Sequence, residues 1–329
     1  MNQIFKPNFF MQNAHFQTVF ATLFRKKIPL HFTKKEFTLS DGDFVETYWH
    51  DTQKQEQNTP LVVLFHGLAG SFESPYIRGS IKALNDAGFN CVIMHFRGCA
   101  QKQNTLARSY HSGDSGDALE FLNALKKEFP QTKLHAIGYS LGANMLLKLL
   151  GEIKENNLLE SAVAVSAPML LDICANRMMQ GFSRYYQHRL LQDLNRSLEK
   201  KYSKHDMQTL LNLPQKEIKN IKTFWEFDEA YTAPIHGFSS AQDYYTKSSA
   251  KQFLKSIATP TLIIHAKDDP FMTPEVIPSP QELSNAITLE VSEKGGHVGF
   301  VGGTLFSPEY YLEQRILRFL SYNLHQTHS

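Results

Sequence analysis

Lys133-Leu134-His135-Ala136-Ile137-Gly138-Tyr139-Ser140-Leu141-Gly142 is the stretch on which the reading of this 329-residue chain turns. Residues 133–137 have the apolar character of a strand. Residues 141–150 have helical character and end near Gly151. Between them stands Gly-x-Ser-x-Gly. The pattern alone occurs by chance, but a strand running straight in and a helix running straight out give it the setting of a nucleophile elbow. Such a turn holds its serine in a strained backbone conformation. Gly138 and Gly142 fall where a side chain would strike neighbouring chain. The Ser140 hydroxyl is therefore expected at the tip of a sheet, above a helix N-terminus.

Outward from the elbow, strand and helix alternate. Leu61–Phe65, residues 90–96 and Ser161–Val165 are short apolar runs of the kind buried on both faces of a parallel sheet. Residues 74–88 and 113–129 carry helical spacing. This alternation implies parallel strands joined by helical crossovers. Upstream, residues 36–40 and 44–49 flank Asp41-Gly42-Asp43, a hairpin signal, and a polar stretch follows over 51–59. The rhythm breaks near Pro168. Residues 169–251 read as helices with many polar and aromatic side chains and no strand. Strands return at 261–265 and 287–291, and a helix over about 308–323 closes the chain. The expectation is one α/β domain over 1–329, with a core of about 36–168 and 252–329. A Phe-rich irregular lead-in covers 1–35, and a helical cap insertion covers about 169–251.

Composition narrows the function. The apolar fraction of 42% and charged fraction of 20% suit a soluble globular protein rather than a disordered one. A net charge of +2 gives no pull toward nucleic acid. Cys91, Cys99 and Cys174 form neither a disulfide framework nor a zinc set, and Cys91 lies in an apolar run. There is no His-Glu-x-x-His, no Cys-x-x-Cys, no phosphate loop and no dinucleotide fingerprint, so neither a metal nor a cofactor is called for. No secretory signal and no membrane-length apolar span is visible, which makes the cytoplasm the expected location.

A serine hydroxyl needs a base to take its proton, and the base needs an acid to orient it. Thr261-Leu262-Ile263-Ile264-His265-Ala266-Lys267-Asp268-Asp269 is a strand ending in two acids. Gly295-Gly296-His297 follows the final strand. The order serine, acid, histidine on an alternating α/β pattern is that of the α/β-hydrolase fold: a mostly parallel central sheet flanked by helices, here with a helical cap insertion. Many hydrolases of this fold end the acid strand with Gly-x-x-Asp. Ala266 takes the glycine place, so Asp269 is preferred over Asp268 as the orienting acid. Asp268 is then expected to cap the following loop or to hydrogen-bond backbone amides. His297 is the expected base, with flanking glycines giving its ring room. His95, His135 and His265 lie in apolar strands and are read as packing residues. His66-Gly67-Leu68-Ala69-Gly70 follows the first core strand, where this fold places one oxyanion donor. The backbone amides of Leu68 and Leu141 are assigned that role.

These segments, with others, carry a closer resemblance. His15-Phe16-Gln17-Thr18, Leu23-Phe24-Arg25-Lys26, Asp41-Gly42-Asp43-Phe44, Phe96-Arg97-Gly98-Cys99 and Gly138-Tyr139-Ser140-Leu141-Gly142-Ala143-Asn144 contribute. So do Phe227-Asp228, Thr232-Ala233-Pro234, His236-Gly237-Phe238, Asp243-Tyr244-Tyr245, Asp268-Asp269-Pro270-Phe271 and Gly295-Gly296-His297-Val298-Gly299-Phe300. Over nearly its whole length the chain resembles the YheT-like branch of the α/β-hydrolases, bacterial proteins with animal relatives. The resemblance implies an esterase or lipase-like activity on a small-molecule acyl ester, with a place in lipid metabolism. It puts Arg97 near the site rim. A structural pairing of Arg97 with Asp114 or Asp117 is the alternative.

The cap aromatics Phe182, Tyr185, Tyr186, Phe224, Trp225, Tyr231 and Phe238 suit an apolar acyl chain. Two other classes use the same residues differently: a thioesterase or acyltransferase on the same triad, and a non-catalytic binding protein that kept the fold. The intact Ser140, Asp269 and His297 speak against the second. In the lead-in, Phe5, Phe9, Phe10, Phe16, Phe20 and Phe24 with Arg25-Lys26-Lys27 could meet an anionic membrane surface, but packing against the core is the preferred reading.

Overall fold

The computed structural model describes residues 4–51, 59–155 and 158–326; most of the polar stretch 51–59 lies outside them. In chain order the elements begin with α1 (Ala14–Phe24) and the antiparallel pair β1 (Thr33–Thr38) and β2 (Phe44–His50). Then come β3 (Leu61–Phe65), α2 (Pro75–Asp86), β4 (Asn90–Met94), α3 (Ser115–Glu128), β5 (Leu134–Tyr139), α4 (Leu141–Ile153) and β6 (Ser161–Val165). A helical segment follows: α5 (Leu171–Met178), α6 (Ser183–Tyr202), α7 (Met207–Leu211) and α8 (Phe224–Phe227). From α8 the chain runs through a π-helical turn, Asp228–Thr232, into α9 (Ala233–Ile235) and then α10 (Ala241–Ser248). The chain ends with β7 (Thr261–Ala266), β8 (Ile287–Ser292), the short pair β9 (Val301–Gly303) and β10 (Pro308–Tyr310), and α11 (Tyr311–Gln326).

Eight strands form one sheet in the order β1-β2-β4-β3-β5-β6-β7-β8. From β4 to β8 every pairing is parallel. The apolar runs are continuous because both faces are covered. Side chains alternate across a strand, so Val63 and Phe65 enter one core with α3 and α4. Val62 and Leu64 enter the other, with Ile77 and Ile81 of α2 and Ile316 and Leu320 of α11. The crossovers are helical, as the alternation requires, and they bring the C-terminal ends of β3, β5, β6 and β7 to one edge.

Two expectations need correction. The lead-in is not irregular: α1 forms because the Asn13 side chain caps it, accepting from Phe16 N at 2.9 Å, and the rings of Phe16, Phe20 and Phe24 meet edge-on and tilted at helical spacing. The closing helix starts at Tyr311 rather than near Pro308, since Pro308–Tyr310 pairs with Val301–Gly303 instead. The lead-in packs in part against the core, with Phe5 and Phe20 buried. Phe9, Phe10 and Phe24 are exposed. Among the described residues no helix is long and apolar enough to cross a membrane.

Arg97 is 2% exposed and ties the loop after β4 to the core. Its Nε and Nη2 donate to the two carboxylate oxygens of Asp117, each at 2.6 Å, and Nη1 donates to Asp43 at 3.0 Å. Asp43 also accepts from Asn104, whose own carbonyl takes a bond from buried Lys201 of α6. Arg97 is thus the centre of a buried network that anchors the helical segment. It does not line the site described below. Of the two acids expected to pair with it, Asp117 is the partner.

Candidate active site

Ser140 stands between β5 and α4 with φ +52° and ψ −118°. That left-handed conformation is costly for a residue with a side chain, and it survives only because the surroundings dictate it. A Cβ at Gly138 would come within 2.5 Å of Gly142 O, and one at Gly142 within 2.6 Å of the carbonyls of Phe65 and His66. No side chain fits either place. The Ser140 amide donates to Val165 O at 2.9 Å, which locks the turn to β6.

The loop after β8 carries His297 to Ser140. Three contacts frame it. Gly296 N donates to Asp268 Oδ1 at 3.0 Å, His297 N to Thr18 Oγ1 at 3.0 Å, and Val298 N to Ser166 Oγ at 3.1 Å. Thr18 belongs to α1, so the lead-in is part of the site's frame. Gln17 adds to this: its Nε2 donates to Val301 O at 2.8 Å, and its Oε1 accepts from Val301 N at 2.7 Å.

Within this frame the Ser140 hydroxyl lies 2.8 Å from His297 Nε2, and His297 Nδ1 lies 2.8 Å from Asp269 Oδ2. The pairing is consistent with one tautomer, Nδ1–H donating to the carboxylate and Nε2 accepting from the hydroxyl. The Phe271 ring stacks on the imidazole at 4.0 Å and 15°, and Phe271 N donates to Asp269 Oδ1 at 2.8 Å. Packing and hydrogen bonds together fix the plane of the ring. Of the two adjacent acids, Asp269 reaches His297, and Asp268 accepts from the Gly296 amide.

The loop after β3 approaches from the other side. His66 is fully buried and pushed down to about 4 by burial, so it is neutral. Its Nδ1 donates to Gly67 O at 2.7 Å and its Nε2 accepts from Phe96 N at 3.2 Å. Gly67 N donates to the Tyr76 hydroxyl at 3.0 Å, and Ala69 N to the Tyr110 hydroxyl at 3.2 Å. A Cβ at Gly67 would sit 3.1 Å from that of Ser140. Among the described residues, the amides of Leu68 and Leu141 donate to no group of the chain. Tyr76, Tyr110, Thr18 and Gln17 were not singled out as site residues by the sequence reading. Gln17 and Thr18 lie in a matching motif, but nothing in the pattern says what they hold.

Ser140, His297, Leu68 and Leu141 share one pocket. Its wall is mostly apolar, from Leu171, Ala175 and Met178 of α5, Leu190 and Leu194 of α6, and Phe224 and Phe227 of α8. Of the seven cap aromatics expected there, only Phe224 lines it. Trp225 turns away: its ring packs on Tyr245 at 4.6 Å and its Nε1 donates to Asn176. Phe182 and Tyr185 are exposed. Phe227, Tyr244 and Tyr245 line the pocket in their stead.

Beside the pocket, His111, Asp114 and His236 bring ligand-type atoms within 4.8 Å of one another. The His236 ring nitrogens lie 2.8 Å from Thr232 O and 3.2 Å from Ser109 O, and an Arg108 nitrogen stands 3.9 Å from Asp114.

A doubly covered parallel sheet with an elbow serine at its C-terminal edge defines a class, and comparison agrees with it. A family model described as the alpha/beta hydrolase fold matches residues 60–304. The chain belongs to that family, and within it to the YheT-like branch. It is 44% identical over 304 residues to YheT of Escherichia coli (strain K12), provisionally named an esterase, covering 92% of this chain and 89% of that one. It is 31% identical to the monoacylglycerol lipase of Saccharomyces cerevisiae over 84% of this chain and 64% of the relative. A medium-chain fatty acid ethyl ester synthase/esterase from the same yeast is 33% identical over 75% of this chain and 59% of the relative. The chain thus spans less than two thirds of the two yeast proteins. Among solved structures, an esterase of Pyrococcus furiosus superposes with a TM-score of 0.59 at 18% identity, covering 97% of this chain and 98% of that one. At that identity the likeness concerns the fold.

Proposed function

We propose that this protein hydrolyses carboxylic esters through an acyl-enzyme intermediate on Ser140. The observation that carries the reading is the hydrogen-bonded run from Ser140 through His297 to Asp269, opening on an apolar pocket. His297 Nε2 takes the proton as Ser140 Oγ attacks the ester carbonyl. Asp269 holds the imidazole in the required tautomer and stabilises its cation. The tetrahedral oxyanion is received by the amides of Leu68 and Leu141, and each such donor is worth about 3 kcal/mol in enzymes of this kind. His297 then protonates the leaving alcohol. Water, activated by the same base, releases the acid.

The pocket wall supports short- to medium-chain or lipid-like acyl groups, and the helical segment that forms much of it acts as a cap. The names of the relatives, an esterase and a lipase among them, point the same way. Three unpaired cysteines fit a reducing compartment, the cytoplasm.

The test is labelling by a fluorescent fluorophosphonate, with p-nitrophenyl ester and acyl-CoA hydrolysis measured in parallel. The native protein is expected to label and to turn over esters, and Ser140→Ala to do neither. A folded native protein that neither labels nor hydrolyses any acyl substrate would overturn the reading. Turnover confined to acyl-CoA would reassign it to thioesters.

A further inference from the structure

One group in the pocket has no part in the mechanism above. Asp228 opens the π-helical turn that joins α8 to α9, and it is the only carboxyl group on the pocket wall among the described residues. Its Oδ1 accepts from the Thr232 hydroxyl and its Oδ2 from the Tyr245 hydroxyl, both at 2.6 Å. Neither neighbour is a cation, and burial pushes the carboxyl up to about 6. An anion set without a counter-charge in an apolar wall is expensive. A wider π turn is a common way to place one side chain where an α-helix would not, and such turns recur at functional sites.

A brace between α8 and α10 does not require an acid. An asparagine would hold the same two hydroxyls, its carbonyl accepting from one and its amide donating to the other, at a lower desolvation cost. A carboxylate has about four acceptor directions, and the two hydroxyls use two. Asp228 lines the same cavity as Ser140. Every other acid is absent from that wall, and so is every lysine and arginine.

From this geometry we propose that Asp228 forms a hydroxyl-recognition subsite: the substrate carries a free hydroxyl, away from the ester carbonyl, that donates to the Asp228 carboxylate. This rests on the ester reading of the pocket and adds the chemical class of the substrate. A hydroxyl suits the place because it loses far less hydration than an ammonium on entering an apolar wall. A hydrogen bond to a charged acceptor, desolvated on both sides, is also the kind of contact by which a site rejects an analogue that lacks the donor. The hydroxyl has two chemical sources: the alcohol side, as in a glycerol monoester, or the acyl side, as in a hydroxy-acid ester.

Binding to the full chain carrying Ser140→Ala tests this without needing turnover. The probes are non-hydrolysable ethers of equal carbon number: a glycerol monoalkyl ether, an ω-hydroxyalkyl ethyl ether and a plain alkyl ethyl ether, titrated by calorimetry. At least one hydroxylated ether is expected to bind about ten-fold tighter than the plain one, and the winner names the source. In Ser140→Ala/Asp228→Asn that ratio is expected to fall to about one, with the melting temperature checked for folding. Tyr245→Phe, which removes a donor but leaves the carboxyl, is expected to keep or widen it. Equal binding of all three ethers overturns the proposal, and so does a ratio that survives Asp228→Asn. If the ratio behaves as expected while the native protein hydrolyses no ester, the catalytic reading falls and the subsite stands.

Discussion

At the scale of single residues, the site is a set of side chains that are correctly placed because others hold them. The loop after β3 shows this best. Its amides on either side of Leu68 are engaged by the Tyr76 and Tyr110 hydroxyls, and His66 fixes its first carbonyl. Tyr110 also stacks on Phe96 at 5.0 Å and 9°, so its ring stays put if the hydroxyl is removed. Tyr110→Phe is therefore expected to loosen the Leu68 amide. It should lower kcat on a p-nitrophenyl ester about five- to ten-fold, the equivalent of one neutral hydrogen bond, with KM little changed. A rise in KM at constant kcat would show that the tyrosine serves substrate binding instead. Ser140, Asp269 and His297 were legible in the sequence because each sits in a local pattern: a turn motif, a strand end, a glycine-framed loop. Tyr110 and Thr18 were not. Their contacts span 41 and 279 residues, and no local pattern records a hydroxyl aimed at a distant amide.

At the scale of elements, the sequence reading succeeded where a segment pays its way by burial on both faces, as β3, β5 and β6 do. It failed where an element is defined by its neighbours. β10 is three residues long and exists because β9 lies beside it. α1 carries polar residues through its turns, which dilute the row of phenylalanines. Yet one of those polar residues, Gln17, is completely buried and bonds three backbone groups of two segments. Gln17→Ala leaves the Val301 amide and carbonyl buried without partners, at roughly 1–3 kcal/mol each. The expected loss is about 3 kcal/mol in urea unfolding, with a parallel drop in fluorophosphonate labelling. A loss below about 1 kcal/mol would mean that water replaces the side chain. The helical segment after β6 was legible as an insertion but its inner face was not. Helical spacing alone does not say that Trp225 turns outward while Tyr244 and Tyr245 turn in.

At the scale of the whole molecule, four buried histidines set the response to acid. Burial holds His66, His135 and His265 down at about 4 and His95 at about 3, against a usual value of 6.5. The unfolded chain takes up these protons as pH falls below 6.5, and the folded chain does not until near 4. The histidine contribution to stability is thus complete above pH 6.5 and is lost as pH drops toward 4, while the carboxyls of Asp114 and Asp228, pushed up by burial, act in the opposite sense. The histidine shifts correspond to at most about 3 kcal/mol for each of the first three and about 5 kcal/mol for His95. Urea midpoints measured at pH 7 and pH 5 are expected to differ markedly, and His135→Gln, which keeps a polar partner for Ser161, to narrow the gap. A gap that His135→Gln leaves unchanged would show that this histidine is solvated in the folded state. The contact between Gln17 and Val301 joins positions 284 residues apart. During translation α1 leaves the ribosome long before its partner is made, so the helix built early is anchored late. A nascent chain arrested after the elbow has emerged holds Ser140 with neither His297 nor Asp269 yet beside it.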